Sequence, residues 1–272
     1  MIGTKTALGK TTVLQGAGLV CVGVLLAFAG GVNAASANDL SYVGSSTVGK
    51  FITDAKDAYS GAGLKLDTRP ESSGGESCPL RDACDFGGVA RDVKPEFLER
   101  GVEATLIGQD AIAAIVNAGN PVKELSKEQI AGIFTGKITD WSEVGGSAGP
   151  IKPMIVKQGS ATRNVFQSKL LDGADYAGAE VVTPDAKIVA QVARDPAAIG
   201  QISLAFIQGN DAVVALTIDG QAAEMSNTSY FVTRPLYLTT KGAPSGAAKD
   251  FIDWAVSAEG QAVVQKRFIG IE

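Results

Sequence analysis

Histidine is absent from all 272 residues of the sequence. It is the usual general base near neutral pH, the central member of Ser-His-Asp triads and the commonest zinc ligand. Its absence excludes such a triad and the common histidine-containing zinc sites. An exported hydrolase would have to use a Ser-Lys pair, which the sequence leaves open.

The sequence also lacks a long run of basic residues. Its 24 lysines and arginines are outnumbered by 29 aspartates and glutamates, which gives a formal net charge of −5. Proteins that bind nucleic acid or anionic membranes usually contain clustered positive charge. We therefore expect neither partner, and any anion site must depend on local dipoles and a few cationic side chains.

The first 36 residues have the order of a secretory signal peptide. Lys5 and Lys10 precede a mostly apolar run over 14–29, and small residues around 34–37 offer a cleavage site. Glycines interrupt the run, which disfavours a retained membrane anchor. We therefore predict a signal peptide over 1–36 and a periplasmic mature chain, whose loss of two lysines takes the formal charge from −5 to −7.

Cysteine is scarce, with three in the whole sequence. Removal of the predicted leader takes away Cys21 and leaves Cys78 and Cys84. An even pair in an oxidising compartment favours a disulfide that closes a short loop. The alternative is a pair of thiols that act as ligands.

Three stretches rich in serine, threonine and glycine each follow a strand-like apolar pattern, over 44–47, 71–75 and 159–163. The first and third precede apolar residues at helical spacing, so they lie where helices begin. Helix starts have free backbone N–H groups and a positive dipole end, which suit an anion. Each stretch alone could be an ordinary helix cap. Three of them in one exported chain indicate a shared small ligand.

Strand patterns alternate with helix patterns along the rest of the chain, which predicts an α/β fold with mostly parallel sheets. The apolar runs 104–107 and 111–116 are typical of buried parallel strands. Breaks at 117–121 and near Arg234 look like two crossings between domains. We therefore predict one lobe from 37–116 with 234–272, and a second lobe from 117–233.

Arg91 follows a predicted strand through Phe86 and Val89, so we expect it at the same sheet edge as the three stretches. A guanidinium there could bind an anion. The alternative is a surface ion pair with Asp92 or Asp85.

Several motifs occur in the order found in one known family. They are GSSTV at 44–48, SSGG at 72–75, AR at 90–91, NPV at 120–122, IFTGKITDW at 133–141, GSATR at 159–163, AIG at 198–200 and RPLY at 234–237. Together they resemble the periplasmic phosphate-binding proteins of ABC phosphate importers, and the similarity covers nearly the whole mature chain. The run at 133–141 is the most specific of them.

The resemblance implies a type II periplasmic binding protein, in which two α/β lobes joined by two crossing strands close on phosphate. It implies capture of inorganic phosphate for a membrane ABC permease, without catalysis and without a cofactor or metal, by what we expect to be a monomer. The ligand-binding residues it implies are Ser46, Thr47, Ser73, Arg91, Ser160, Ala161 and Thr162.

Three positions depart from the family pattern. Ala90 stands where a serine is usual, Ala161 where a glycine is usual, and Val156 where an arginine is common. A charge-assisted bond to phosphate contributes about 1.5–3 kcal/mol, so the loss of that arginine weakens binding about tenfold or more unless another group replaces it. The alternatives are therefore another tetrahedral oxyanion, such as arsenate, sulfate or a phosphonate, or a ligand-sensing adaptor.

Overall fold

The computed structural model describes residues 39–271, so the predicted signal peptide lies outside the described residues. The strands there are β1 (Leu40–Gly44), β2 (Leu64–Asp67), β3 (Phe86–Val89), β4 (Val102–Asn117), β5 (Glu124–Leu125), β6 (Lys152–Val156), β7 (Glu180–Val182), β8 (Ala198–Ser203), β9 (Val213–Ala215), β10 (Thr217–Ile218) and β11 (Thr233–Lys241). The helices are α1 (Ser46–Ala55), α2 (Glu71–Ser77), α3 (Pro95–Leu98), α4 (Lys127–Phe134), α5 (Ala161–Leu170), α6 (Lys187–Arg194), α7 (Gly246–Val256) and α8 (Ala258–Val264). The predicted α/β class is confirmed.

The main sheet is parallel at its two ends and antiparallel at its centre. Its strand order is β2-β1-β3-β11-β4-β8-β6-β7, with β9 paired to β4, and β5 pairs separately with β10. Strand β1 is parallel to β2 and β3, and β6 is parallel to β7 and β8. Strands β4 and β11 are antiparallel to their neighbours, so the sheet is mixed.

Strand β4 corrects the prediction of two parallel strands over 104–107 and 111–116. It is one strand of 16 residues. It pairs with β11 from Val102 to Ala111 and with β8 from Ile112 to Val116, antiparallel in both cases. The polar residues between the two apolar runs form no turn because they pair with β11.

Two large clusters of buried side chains and a small third one around Val89, Val93 and Val102 form the core. One lies within 111–232 and is built around Phe134 and Phe166, whose ring centroids are 4.9 Å apart. The other large cluster combines residues of 40–107 with residues of 236–268 and also includes Ala205. There the rings of Phe86 and Phe251 stack at 5.0 Å. Strands β4 and β11 pass from one cluster to the other, so the two crossing strands are covalent links between the cores.

The helix starts follow local sequence signals. The hydroxyl oxygen of Ser45 accepts hydrogen bonds from the N–H groups of Thr47 and Val48 at the start of α1. Helix α4 begins with a capping box, in which Ser126 and Gln129 bond to each other's backbone N–H groups. Both starts agree with the sequence pattern, because capping depends on residues close together in the chain.

Residues 71–75 form the start of α2, a helix that the sequence pattern did not indicate. The helix packs directly on β3, since a Cβ atom at Gly75 would lie 2.2 Å from the carbonyl oxygen of Gly88. The Thr239 hydroxyl donates to the Gly75 carbonyl at 2.7 Å and ties α2 to β11 as well. This close packing places the beginning of α2 beside the ends of β1 and β3.

A disulfide joins Cys78 and Cys84, as predicted, with their Cα atoms 5.6 Å apart. It connects the residue after α2 to the segment that leads into β3. The bond therefore closes the loop between α2 and β3.

Replacing both Cys78 and Cys84 by alanine is expected to lower the free energy of unfolding by about 2 kcal/mol. The reason is that the bond restricts a short loop of the unfolded chain, with a sequence separation of 6. Urea denaturation monitored by circular dichroism measures the change, and the unsubstituted protein under reducing conditions is the control. Equal unfolding midpoints for oxidised, reduced and substituted protein would contradict it.

Candidate functional site

A cavity of about 420 Å³ separates the start of α5 from the start of β11. Its lining residues are Arg91, Asp92, Ala161, Asn164, Val165, Ser168, Lys169, Thr233, Arg234 and Pro235. Arg234 contacts the start of α1, and Ala161 is the first residue of α5. We call this cavity, together with the starts of α1 and α5, the cleft.

A larger cavity of about 890 Å³ lies near the C-terminal residues. Its lining includes Leu204, Met225 and Phe268, and Glu224 is the charged residue among its walls. An anion would find no cationic side chain in that lining. The cleft is therefore the better candidate for the predicted site.

The centre of the cleft is a buried ion pair between Arg234 and Asp110. These residues lie opposite each other in the β4–β11 ladder, and Arg234 Nε donates to Asp110 Oδ2 at 2.9 Å. Their exposed fractions are 3% and 0%. Asp110 Oδ1 also accepts from the Ser203 hydroxyl at 2.7 Å, and Arg234 Nη2 donates to Thr47 Oγ1 at 2.9 Å. The pair thus connects β4, β8, β11 and α1.

Burial raises the pKa of Asp110, and the charge of Arg234 and the Ser203 hydroxyl oppose that rise. A buried carboxylate needs such partners, because transfer of an unpaired charge out of water is costly. Asp110 therefore fixes the position of the Arg234 guanidinium at the base of the cleft and balances its charge from one side.

At the start of α1, the predicted donors Ser46 and Thr47 both contact other side chains of the protein. The Ser46 N–H donates to Glu71 Oε2 at 3.0 Å. Thr47 is buried, and its hydroxyl oxygen accepts from Arg234. A carboxylate from α2 therefore lies at the positive end of α1, a position that suits an anion.

Glu71 adopts a backbone conformation that is uncommon for glutamate, with φ at 55°. Burial raises the pKa of its half-buried carboxyl group, and hydrogen bonds from Ser46 act in the opposite direction. The charges of Asp185 and Lys157 also act on it, the first raising and the second lowering the pKa. Glu71 thus faces charged residues of the α5 side of the cleft.

At the start of α5, Ser160 has the N-cap position but does not cap the helix with its side chain. Its hydroxyl instead lies 3.3 Å from Asp185 Oδ2 and donates to it. The next two residues, Ala161 and Thr162, are buried. The prediction that this stretch starts a helix is confirmed, and the ordinary capping alternative does not describe the Ser160 side chain.

Burial raises the pKa of Asp185, and Arg234 is the strongest opposing influence. The Ser160 hydroxyl and Lys157 also lower it. Asp185 therefore lies within electrostatic range of the central guanidinium, and it is the second carboxylate at a helix start in the cleft.

Arg91 lines the cavity, but its guanidinium is paired with Glu76. Its Nη2 atom lies 2.8 Å from Glu76 Oε2, and Nη1 contacts Oε1. The Glu76 side chain is fully buried. The predicted ion pair of Arg91 with Asp92 or Asp85 is therefore wrong. The Asp85 carboxylate accepts a hydrogen bond from Ser41, and Asp92 accepts one from Arg91 only through its backbone carbonyl oxygen. A fork-to-fork pair with Glu76 satisfies the guanidinium better.

Ser73 points into solvent, whereas its neighbour Ser72 is buried. The Ser72 hydroxyl oxygen accepts from the Ala90 N–H at 3.1 Å, near the end of β3. Because the segment is helical, the two adjacent serines face different directions, and the assignment of Ser73 to the ligand site stays a prediction.

The missing family arginine is not replaced by the nearby Arg163. Val156 is fully buried, and its carbonyl oxygen accepts from Arg163 Nη1 at 3.3 Å. The Arg163 guanidinium lies 4.8 Å from the centroid of the Tyr176 ring. It is therefore held on the Tyr176 side of α5, away from the residues of that helix that line the cavity.

Sequence reasoning missed four residues that shape the cleft, namely Glu71, Asp110, Asp185 and Arg234. The sequence pattern placed Arg234 in a crossing segment but did not indicate a role in the site. The proline that follows it indicates an extended strand. No local pattern marks the other three, because their partners are distant in the sequence.

The described part of the chain contains no group of three or more acidic or sulfur ligands able to hold a metal ion. Residues 39–271 also include no helix with the length and apolar character needed to cross a membrane. The groups present at the cleft are helix starts, hydroxyl groups and a guanidinium, all of which donate hydrogen bonds.

Comparison with known families agrees with this geometry. A family model described as the PBP superfamily domain matches residues 31–259. The chain therefore belongs to the PBP superfamily, and the resemblance found in the sequence motifs is confirmed. Its relatives are substrate-binding proteins rather than enzymes.

A solved structure of a putative phosphate ABC transporter substrate-binding protein from Clostridium perfringens, with bound phosphate, is 31% identical. The alignment covers 86% of this chain and 100% of that one, with a TM-score of 0.77, and confirms the type II fold. The phosphate-binding protein PstS of Bacillus subtilis is 36% identical over 54% of this chain and 50% of its own length. The match thus spans about half of that relative. PstS of Staphylococcus saprophyticus is 27% identical over 91% and 86% of the two chains.

Replacing Asp110 by alanine is expected to destabilise the fold by about 3–5 kcal/mol, because it leaves the Arg234 guanidinium buried without its carboxylate. Chemical denaturation measures the loss. Asp253, which is exposed and pairs with Lys249 on α7, is the matched control, and Asp253→Ala is expected to change stability by less than about 1 kcal/mol. An equal loss of unfolding free energy in the two variants would show that the buried Asp110–Arg234 pair matters no more for stability than the exposed pair.

Proposed function

We propose that this protein captures inorganic phosphate in the cleft and delivers it to a membrane ABC permease. The observation that supports this most is that the starts of α1 and α5, each a helix of ten residues, lie beside the buried guanidinium of Arg234. Helix starts and arginine are the groups that proteins use to bind tetrahedral oxyanions. The phosphate bound in the 31% identical relative supports the choice of ligand.

The proposed donors come from both sides of the cleft. Ser46 and Thr47 of α1 offer backbone N–H and hydroxyl groups, and Ser160, Ala161 and Thr162 offer the same at the start of α5. Ser72 replaces Ser73 in the proposed set because it is the buried member of the pair. Each is close to a helix start or a strand end that borders the cavity.

Arg234 is proposed as the main charge-assisted donor, in place of Arg91. A guanidinium has five N–H donors, and Asp110 and Thr47 occupy positions on Nε and Nη2. The Nη1 group is then available to a ligand in the cavity that Arg234 lines. Arg91 is held by Glu76 and contributes to the shape and potential of the wall.

The predicted lobes, 37–116 with 234–272 and 117–233, are proposed to close on the ligand. The two hydrophobic clusters support this, and they divide within β4 between Ile107 and Ala111. Bending of β4 and β11 near Asp110 and Arg234 would bring α1 and α5 together. The proposed motion places the hinge next to the ligand.

The remaining proposals concern the protein's surroundings. The leader-like sequence of 1–36 supports export to the periplasm, where the mature chain would act as a monomer and meet the permease. Another tetrahedral oxyanion, such as arsenate or sulfate, is the second candidate ligand. Val156 supports it, because this buried apolar side chain occupies the position of the family arginine.

Isothermal titration of ligand-stripped protein is expected to show tight binding of phosphate and weaker binding of sulfate. Replacing Ser160 by alanine together with Thr162 by valine is expected to weaken phosphate binding roughly tenfold or more, because hydrogen bonds to a charged ligand are lost. Ser147→Ala, at an exposed serine outside the lining of the cleft, is the control and should bind like the original protein.

Absence of phosphate binding combined with tight binding of another oxyanion would replace the proposed ligand. Normal phosphate affinity in the Ser160 and Thr162 double variant would remove the start of α5 from the site. Growth measurements on a deletion strain at low phosphate concentration test the transport role, since unchanged phosphate uptake would favour a sensing role.

A further inference from the structure

Two of the predicted donors at the helix starts, Ser46 and Ser160, are hydrogen-bonded to carboxylates of the same chain. Glu71 accepts from the Ser46 N–H at 3.0 Å, and Asp185 accepts from the Ser160 hydroxyl at 3.3 Å. These bonds lie at the starts of α1 and α5, the two helices proposed to hold the ligand. Each carboxylate thus has the position and the hydrogen-bond partner that a ligand oxygen would need.

The charge of the cleft is unfavourable for a second anion. The cations Arg91 and Arg234 are matched by Glu76 and Asp110, which are fully buried. Lys157 is exposed and faces both remaining carboxylates, Glu71 and Asp185. With Lys169 and Asp92, which also line the cavity, four cations stand against five carboxylates, so an oxyanion entering the cleft would meet a net negative charge.

The backbone of Glu71 shows that this arrangement has a cost. A non-glycine residue with φ at 55° is in the disfavoured left-handed region, and burial of its carboxylate adds to the cost. A glutamate is not needed to cap α1, because Ser45 already caps that helix. Strain at a ligand site points to a functional constraint.

We infer that Glu71 and Asp185 are tethered competitors of the ligand: in the free protein their carboxylates occupy the oxyanion positions at the starts of α1 and α5, and the ligand binds as they withdraw or become protonated. The inference rests on the proposed function of the cleft. It makes these two residues determinants of affinity and of its dependence on pH.

The groups that face the two carboxylates set the direction of that pH dependence. Tyr42, Asp185, Lys157 and the Ser46 N–H act on Glu71. Arg234, Lys157 and the Ser160 hydroxyl act on Asp185. Burial raises the pKa of both carboxyl groups above their ordinary values. Each is therefore neutral at low pH, where it ceases to compete, and charged at higher pH, where competition is strongest.

Phosphate titrations of Glu71→Gln and Asp185→Asn at pH 5 and pH 8 test the inference. Each variant keeps the size of the side chain but removes its charge. At pH 8, we expect each variant to bind phosphate roughly tenfold more tightly than the original protein. At pH 5, we expect the difference in affinity between each variant and the original protein to be severalfold smaller than at pH 8. Comparison at the same pH cancels the titration of phosphate itself.

Two further variants guard against indirect effects. Glu259→Gln removes an exposed glutamate from the first turn of α8 and should leave phosphate affinity unchanged at both pH values. Glu71→Gly removes both the carboxylate and the strain of a positive φ, and it should also bind phosphate more tightly at pH 8. Thermal unfolding without phosphate checks that each variant is folded.

The outcomes separate this inference from the proposed function. Equal or weaker phosphate binding by both charge-removing variants at pH 8, with normal binding by the original protein, would overturn the inference and leave the function intact. If the variants bind phosphate and the original protein does not, the result would support competition between the carboxylates and phosphate. The same result would contradict the proposed function. Absence of phosphate binding throughout would overturn both.

Discussion

The buried ion pair between Arg234 and Asp110 connects the parts of the chain that form the cleft. Asp110 joins β4 to β8 through Ser203, and Arg234 joins β11 to α1 through Thr47. The two hydrophobic clusters meet at these strands. Because the guanidinium is buried with its partner, it lies at a fixed position where the two large clusters meet, and the starts of α1 and α5 are arranged around it.

The cleft thus combines strong donors with an unusual number of carboxylates. The donors alone would give an anion site of high affinity, since helix starts and a guanidinium act together in a partly desolvated space. Glu71 and Asp185 reduce the positive potential and satisfy donors that would otherwise face water. In the proposed site, the balance between these effects would determine which oxyanions bind and at what pH.

Features that depend on neighbouring residues could be predicted from the sequence. The starts of α4 and α5 and the Cys78–Cys84 bond follow from capping patterns, apolar spacing and cysteine count. The single strand β4 could not, because antiparallel pairing with β11 joins residues 124 positions apart. The partner of Arg91 was missed for the same reason. Ser73 was preferred to Ser72 because a motif shows residue types but not which side of a helix they face.

A crystal structure of the protein grown with phosphate tests the central claim most directly. The account predicts phosphate oxygens within hydrogen-bond distance of the Ser46 N–H, the Ser160 hydroxyl and Arg234, with the Glu71 carboxylate moved away from Ser46. Phosphate bound outside the cleft, or bound in it while Glu71 still accepts from the Ser46 N–H, would contradict the account.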